Sequence, residues 1–137
     1  MYKISKSYSF DAAHRLHHLE GAHKCRNLHG HTYTVTITLF SDTLNSDTMV
    51  KDFNDLAPFK RHLDTFYDHA LIVDVNDIEL RDLASNLGCK MSVVYGPTTS
   101  ELLAKEMHKI AKSLFNWSEK IGIEVSETPT SKAYYEE

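Results

Sequence analysis

Apolar and polar residues alternate from the start of the chain. Tyr2, Ile4, Tyr8, Phe10 and Ala12 fall on even positions of residues 2–14, mainly polar residues lie between them, and His14 keeps the same parity. A period of two marks a strand with one buried face. Residues 29–41 repeat the pattern on odd positions. Tyr33, Val35, Ile37 and Leu39 share one face, and Thr32, Thr34, Thr36 and Thr38 share the other. The Thr and Val content favours strand. His29 and His31 belong to the Tyr33–Leu39 face. Residues 15–28 read as a long polar loop between the two strands.

The period then lengthens. Leu56, Phe59, Leu63, Phe66 and Tyr67 sit at helical spacing and predict a helix over 54–67. Asn54 is its candidate N-cap, and Pro58 is tolerated in its first turn. Residues 49–53 just before it suggest a short strand end, and 77–87 a short helix or a loop. Met91–Tyr95 reads as a strand ending at Gly96-Pro97. Leu103, Met107, Ile110, Ala111, Leu114 and Phe115 form the apolar stripe of a helix over 100–116. Ile121, Ile123 and Val125 share one face of a last strand over 121–128, and Glu127 continues that face. This order implies an α+β fold, a four-stranded antiparallel sheet with two helices on one face. Two open sheet edges are a liability, so pairing of edges between subunits, and hence an oligomer, is expected.

With 137 residues and no linker or repeat, the expectation is one domain over 1–137. A net charge of -4 argues against nucleic acid as the main partner, since phosphate neutralisation needs clustered Lys and Arg. No stretch has the length to span a bilayer, and the opening Met1-Tyr2-Lys3-Ile4-Ser5-Lys6 lacks the apolar run of a signal peptide. Two cysteines, Cys25 and Cys89, do not make a disulfide framework. The resulting expectation is a cytoplasmic protein with free thiols and no membrane partner.

The unusual number is nine histidines, five of them between His14 and His29 inclusive. His29 and His31, two apart on a strand, point to one side and can converge on one ion, with Gly30 between them leaving room. The end of the first strand faces the start of the second, which brings His14 to the same place. Three neutral imidazoles with an open fourth position are the catalytic form of a zinc (Zn2+) site. His17, His18 and His23 read as solvent-exposed, although any of them could replace His14. Cys25 has three readings: a fourth ligand closing the site, an inert thiol, or a base beside the metal. Asp68-His69 reads either as a helix C-terminus with a favourably placed His or as a proton-exchanging imidazole. Glu127, where a face of Ile and Val predicts an apolar residue, either anchors a ligand with two N–H donors or reaches solvent at a strand end. Thr98 and Glu101 have capping-box spacing at a helix N-terminus, whose free N–H groups could also receive a ligand.

Phe10-Asp11-Ala12-Ala13-His14, Cys25-x-x-x-His29-Gly30-His31, Asp68-His69 and Glu127-Thr128-Pro129-Thr130-Ser131 together resemble the 6-pyruvoyltetrahydropterin synthase / 6-carboxytetrahydropterin synthase family over nearly the whole chain. The resemblance implies the tunnelling fold, with two antiparallel hairpins and two helices per subunit. It further implies trimers closing a barrel, a homohexamer built as a dimer of trimers, and active sites between subunits. His14, His29 and His31 would bind zinc. Cys25 would be the general base, working with His69, itself oriented by Asp68. Glu127 would anchor the pterin ring, and Thr98 and Thr99 would line its pocket. The implied substrate is 7,8-dihydroneopterin triphosphate. The ending 127–134 looks like the bacterial branch that makes 6-carboxy-5,6,7,8-tetrahydropterin and acetaldehyde on the route to queuosine. Lys132, however, stands where that branch often has an aromatic. The other branch makes 6-pyruvoyltetrahydropterin.

Overall fold

A computed structural model describes residues 1–137. Its framework is the hairpin of β1 (Tyr2–His14) and β2 (His29–Ser41), antiparallel in one register from Tyr2↔Ser41 to His14↔His29. Alternation gives this hairpin two unlike faces. On one, Phe10, Ala12, Tyr33, Val35, Ile37 and Leu39 are buried in the core. On the other, Ser5, Ser7 and Ser9 bond across to Thr38, Thr36 and Thr34, at 2.8, 2.7 and 3.3 Å between hydroxyl oxygens.

Helix α1 (Ala57–Phe66) brings Phe59 and Leu63 to the apolar face. It starts later than its periodicity predicts because a 3-10 turn, Phe53–Leu56, precedes it. The side chain of Asp52 caps that turn by accepting from the Asn54 N–H. Residues 49–52 are irregular and Phe53 already belongs to that turn, so no strand forms over 49–53. Strand β3 (Ala70–Asp74), helix α2 (Ile78–Leu87) and β4 (Met91–Val94) follow. Asp77 caps α2, and Gly88 ends it in the left-handed region at φ 68, so 77–87 is a helix and not a loop. Helix α3 (Ser100–Leu114) packs Leu103, Ala104, Met107 and Ala111 on the core. Strands β5 (Ile121–Thr128) and β6 (Ser131–Glu136) close the chain as a second hairpin.

The sheet has six strands in the order β4-β3-β1-β2-β5-β6, which corrects the expectation of four antiparallel strands. β1 pairs with β3, and β3 with β4, in parallel. Two strands escaped the pattern for opposite reasons. β3 is buried on both faces, so its sequence is a continuous apolar run without alternation. β6 is an edge strand with few buried positions, and its Lys132 and Glu136 read as a polar tail. The third helix arises because two adjacent parallel strands need a crossover, and α2 is that crossover. No helix is long and apolar enough to cross a membrane.

Candidate functional site

At the end of the β1/β2 hairpin the apolar face turns polar. The register sets His14 opposite His29 and Ala12 opposite His31, with all three imidazoles on the core side. Their ring centroids lie 4.7 Å (His14–His29), 5.2 Å (His14–His31) and 4.8 Å (His29–His31) apart. One nitrogen from each lies within 4.8 Å of the others, so the trio could hold a metal ion.

Hydrogen bonds fix which nitrogen is offered. His14 Nδ1 meets the Thr98 carbonyl at 2.9 Å and Thr98 Oγ1 at 3.0 Å. His29 Nδ1 meets the Asn27 carbonyl at 2.6 Å. A carbonyl only accepts, so each Nδ1 carries the proton and each Nε2 keeps its lone pair. Nε2 of His14 and of His31 are buried without any partner. Leaving such atoms unpaired costs about 1–3 kcal/mol apiece, and a cation satisfies all of them at once. Neutral imidazole donors suit zinc among other transition metals, so the donor set fits the ion that the sequence implies.

Burial disfavours the charged form of His14 and His31. It lowers His14 to about 4, against the raising effect of the Thr98 backbone hydrogen bond, and it lowers His31 as well. An unfolded histidine titrates near 6.5. Below that value the unfolded metal-free chain binds a proton that folded His14 refuses. Stability is therefore expected to decline as pH falls from about 6.5 to about 4 and to level off below. Denaturant midpoints in chelator check this, and the decline should be shallower in His14→Gln. A midpoint that rises through the same window would contradict it.

Thr98 is buried behind His14, and its hydroxyl also donates to the Arg15 carbonyl at 3.3 Å. The cap of α3 is Thr99, whose side chain accepts from the Leu102 N–H, so the Thr98–Glu101 capping box does not form. Thr99 instead shares a cavity of about 220 Å³ with Glu101, Glu127 and Lys132. Glu127 follows the last β2/β5 pair, Thr34↔Ser126, at the point where β5 turns irregular against β6. Its charge is felt by His14, His31 and Tyr33 alike.

Tyr33, which shares one parity with His29 and His31, also faces the cluster, its ring 5.4 Å from that of His31. Its hydroxyl is a third buried atom without a partner. Tyr33→Phe removes that atom and keeps the stacking on Phe10 at 5.2 Å. The metal-free variant is expected to unfold at the same temperature as the parent or a few degrees above it. A clear fall in Tm would show that the hydroxyl is satisfied after all.

The loop 15–28 is pinned by an ion pair and a hydrogen bond. Arg15 grips buried Asp77 with two bonds of 2.7 and 2.6 Å, and His17 Nε2 meets buried Asp74 at 3.0 Å. His23 Nδ1 accepts from the Cys25 N–H at 3.1 Å and caps the turn Lys24–Arg26. His17 and His23 thus hold the loop, and His18 is exposed. Cys25 is half-buried in that turn, and its sulfur does not join the ligand atoms of the three histidines.

Asp68 and His69 lie elsewhere. His69 Nδ1 meets Asp68 Oδ2 at 2.9 Å, and Asp68 Oδ1 accepts from the Asp11 N–H at 3.1 Å. That Asp11 bond first, and then His69, hold Asp68 below the usual carboxylate range. The pair opens into a groove of about 550 Å³ whose lining includes Asp11, Thr32, His69, Cys89 and Lys90. Asp11 and Thr32 belong to the hydroxyl face of the hairpin. His31 lines the same groove, but His69 is not one of the residues whose ligand atoms gather at the cluster.

Comparison with known proteins follows the same lines. The sequence profile described as 6-pyruvoyl tetrahydropterin synthase matches residues 3–137. Curated 6-carboxy-5,6,7,8-tetrahydropterin synthases from Aquifex aeolicus and Haemophilus influenzae are 36% and 37% identical to the chain. The first alignment covers 99% of this chain and 98% of the relative, and the second covers all of both. Among solved structures, an uncharacterized protein from Wolinella succinogenes superposes with a TM-score of 0.85 at 25% identity, over 98% of this chain and 97% of that one. The 6-pyruvoyl tetrahydropterin synthase of Caenorhabditis elegans superposes with a TM-score of 0.71 at 26% identity, over 99% of this chain and 95% of that one. The agreement runs from end to end in sequence and in fold, and the chain belongs to the 6-pyruvoyl tetrahydropterin synthase family.

Proposed function

We propose that this protein converts 7,8-dihydroneopterin triphosphate and one water molecule to 6-carboxy-5,6,7,8-tetrahydropterin, triphosphate and acetaldehyde, as a zinc-dependent lyase. The observation that carries the reading is the convergence of three imidazoles, two of them with buried, unpartnered Nε2 atoms, in a chain whose full-length relatives bear that name. His14, His29 and His31 hold the metal. Bound there, zinc supplies Lewis acidity toward the hydroxyls of the substrate side chain.

The remaining chemistry falls to the chain's own residues. Glu127 receives two N–H donors of the aminopyrimidinone ring, and Thr99 lies beside it in the same cavity. Thr98 acts on the metal side, through its bonds to His14 Nδ1. Cys25, as thiolate, removes a side-chain proton of the substrate. Asp68 fixes the proton on His69 Nδ1, which leaves His69 Nε2 to exchange protons. Oxidation and reduction occur within one molecule, so no redox cofactor takes part.

His69 is not part of the metal cluster of its own chain, and the reading completes each site with a second copy. The outer edges of β4 and β6 are unpaired in one chain. Their pairing between subunits would close a barrel of trimers, and two trimers would stack as a homohexamer with each site completed at an interface. We place the enzyme in the cytoplasm, in queuosine and deazapurine biosynthesis; its two free cysteines suit that compartment.

A second reading is the synthesis of 6-pyruvoyltetrahydropterin, favoured by Lys132 at an often aromatic position in the carboxy branch. The third, a non-catalytic zinc or pterin-binding protein closed by Cys25, is disfavoured because that sulfur is not among the atoms gathered at the cluster. Incubation of pure, zinc-loaded protein with dihydroneopterin triphosphate separates them. Acetaldehyde is the expected product. Triphosphate without acetaldehyde would establish the pyruvoyl branch, and neither product would reject catalysis on this substrate.

A further inference from the structure

We infer that Lys90 is a positioning residue for the His69 imidazole: its ammonium, reaching over from the start of β4, locks the turn that aims the Asp68–His69 pair into the groove. The inference rests on the proposed role of His69 in proton exchange. It starts from a backbone anomaly. His69 has φ 57, in the left-handed region that Gly or Asn ordinarily fills at the end of a helix. A bulkier residue persists there only when its surroundings over-determine it, and such residues cluster at functional sites.

The surroundings here do over-determine it. The His69 N–H donates to the Asp11 carbonyl at 2.7 Å, and the Asp11 N–H donates to Asp68 Oδ1 at 3.1 Å. Both bonds use the backbone of β1. The remaining bond from outside comes from a side chain. Lys90 Nζ donates to the Asp68 carbonyl at 2.7 Å and to the Asp64 carbonyl at 3.0 Å, spanning the end of α1 and the turn that follows it. Lys90 is itself tied to the strand that leaves the turn, because the Leu71 N–H donates to its carbonyl at 2.9 Å. Its charge also lies beside the Asp68 carboxylate, which must stay ionised to hold the His69 proton on Nδ1. The ammonium and the imidazole line the same groove. A compact ammonium with three donors is well suited to gather two carbonyls that diverge from one helix end.

The test compares Lys90→Met, which keeps the aliphatic stem and loses the donors, with Lys90→Arg, which keeps charge and donors. Lys60→Met is the control. It removes the partner of the Asp64 carboxylate on the same helix without touching the Asp68 carbonyl. Nitrogen spectra of the His69 imidazole, recorded on substrate-free protein, are expected to show one dominant Nδ1–H tautomer in the parent, in Lys90→Arg and in Lys60→Met. That dominance is expected to be lost in Lys90→Met. In turnover, Lys90→Met is expected to lose roughly 10- to 100-fold in kcat, with KM and metal content held. Lys90→Arg should recover most of that loss. If Lys90→Met does not fold, Lys90→Gln, with a single amide group to offer, replaces it in the comparison.

An unchanged imidazole spectrum and unchanged kcat in Lys90→Met would overturn the inference. So would an equal loss in Lys60→Met, because the effect would then belong to the helix end in general. A parent protein that shows the tautomer shift on Lys90 substitution but turns over no pterin would refute the proposed reaction and uphold the positioning role.

Discussion

His29→Ala is expected to empty the three-histidine site of its metal and to abolish turnover with it. Its Nδ1 is already committed to the Asn27 carbonyl, so its imidazole is held ready with Nε2 free. Loss of a supporting hydrogen bond behind a ligand typically weakens metal binding by ~10–100-fold. Loss of the ligand itself should exceed that, and no other His, Cys or carboxylate atom joins the cluster to replace it. The fold should survive, because His29 lies at a strand end, only partly buried and outside the apolar core. Elemental analysis of dialysed protein, with circular dichroism as the fold control, checks the prediction. Undiminished metal content would refute the ligand role of His29.

Cys25→Ala is expected to do the reverse: metal content unchanged, turnover lowered by ~10²–10⁴-fold, the usual worth of a positioned proton-transfer group. The turn Lys24–Arg26 that carries Cys25 depends on the backbone N–H of Cys25 and on His23, so alanine keeps its shape. The sulfur stands apart from the three nitrogens, so its removal should not disturb them. Parallel measurement of zinc content and acetaldehyde release separates the outcomes. Loss of metal would restore the closed-site reading of Cys25, and unchanged turnover would reject it as the base.

These two expectations draw on residues that were legible at different depths. The metal trio follows from parity. A strand sets residues two apart on the same side, and a hairpin sets the end of one strand against the start of the next. The assignment of His14, His29 and His31 to one face therefore needs only the alternation of Tyr2–Ala12 and Tyr33–Leu39, and the register His14↔His29 agrees with it. The anomaly of Glu127 on an apolar face was visible for the same reason. Helix α3 was equally plain, because its apolar stripe has no competing period.

What alternation cannot reach is anything decided by a partner from a distant part of the chain. β3 was invisible because a strand covered on both faces has no polar face to alternate with, and β6 because an edge strand has little apolar face at all. Thr98 looked like a cap by its spacing. It became the support of His14 because Thr99 takes the cap and frees the Thr98 carbonyl and hydroxyl for Nδ1.

The sequence by itself determined the α+β class, the two-faced hairpin and the convergence of three imidazoles that could hold a metal, since each is a local periodicity read against one geometric rule. Tertiary structure alone decided the parallel β3–α2–β4 unit, the loop pinned by Arg15–Asp77 and His17–Asp74, and the pairing of the Asp68 carboxylate with the Asp11 N–H of β1. Those features depend on long-range pairings, where a residue's neighbours are set by the packing of whole elements and its own position in the chain carries no mark of them.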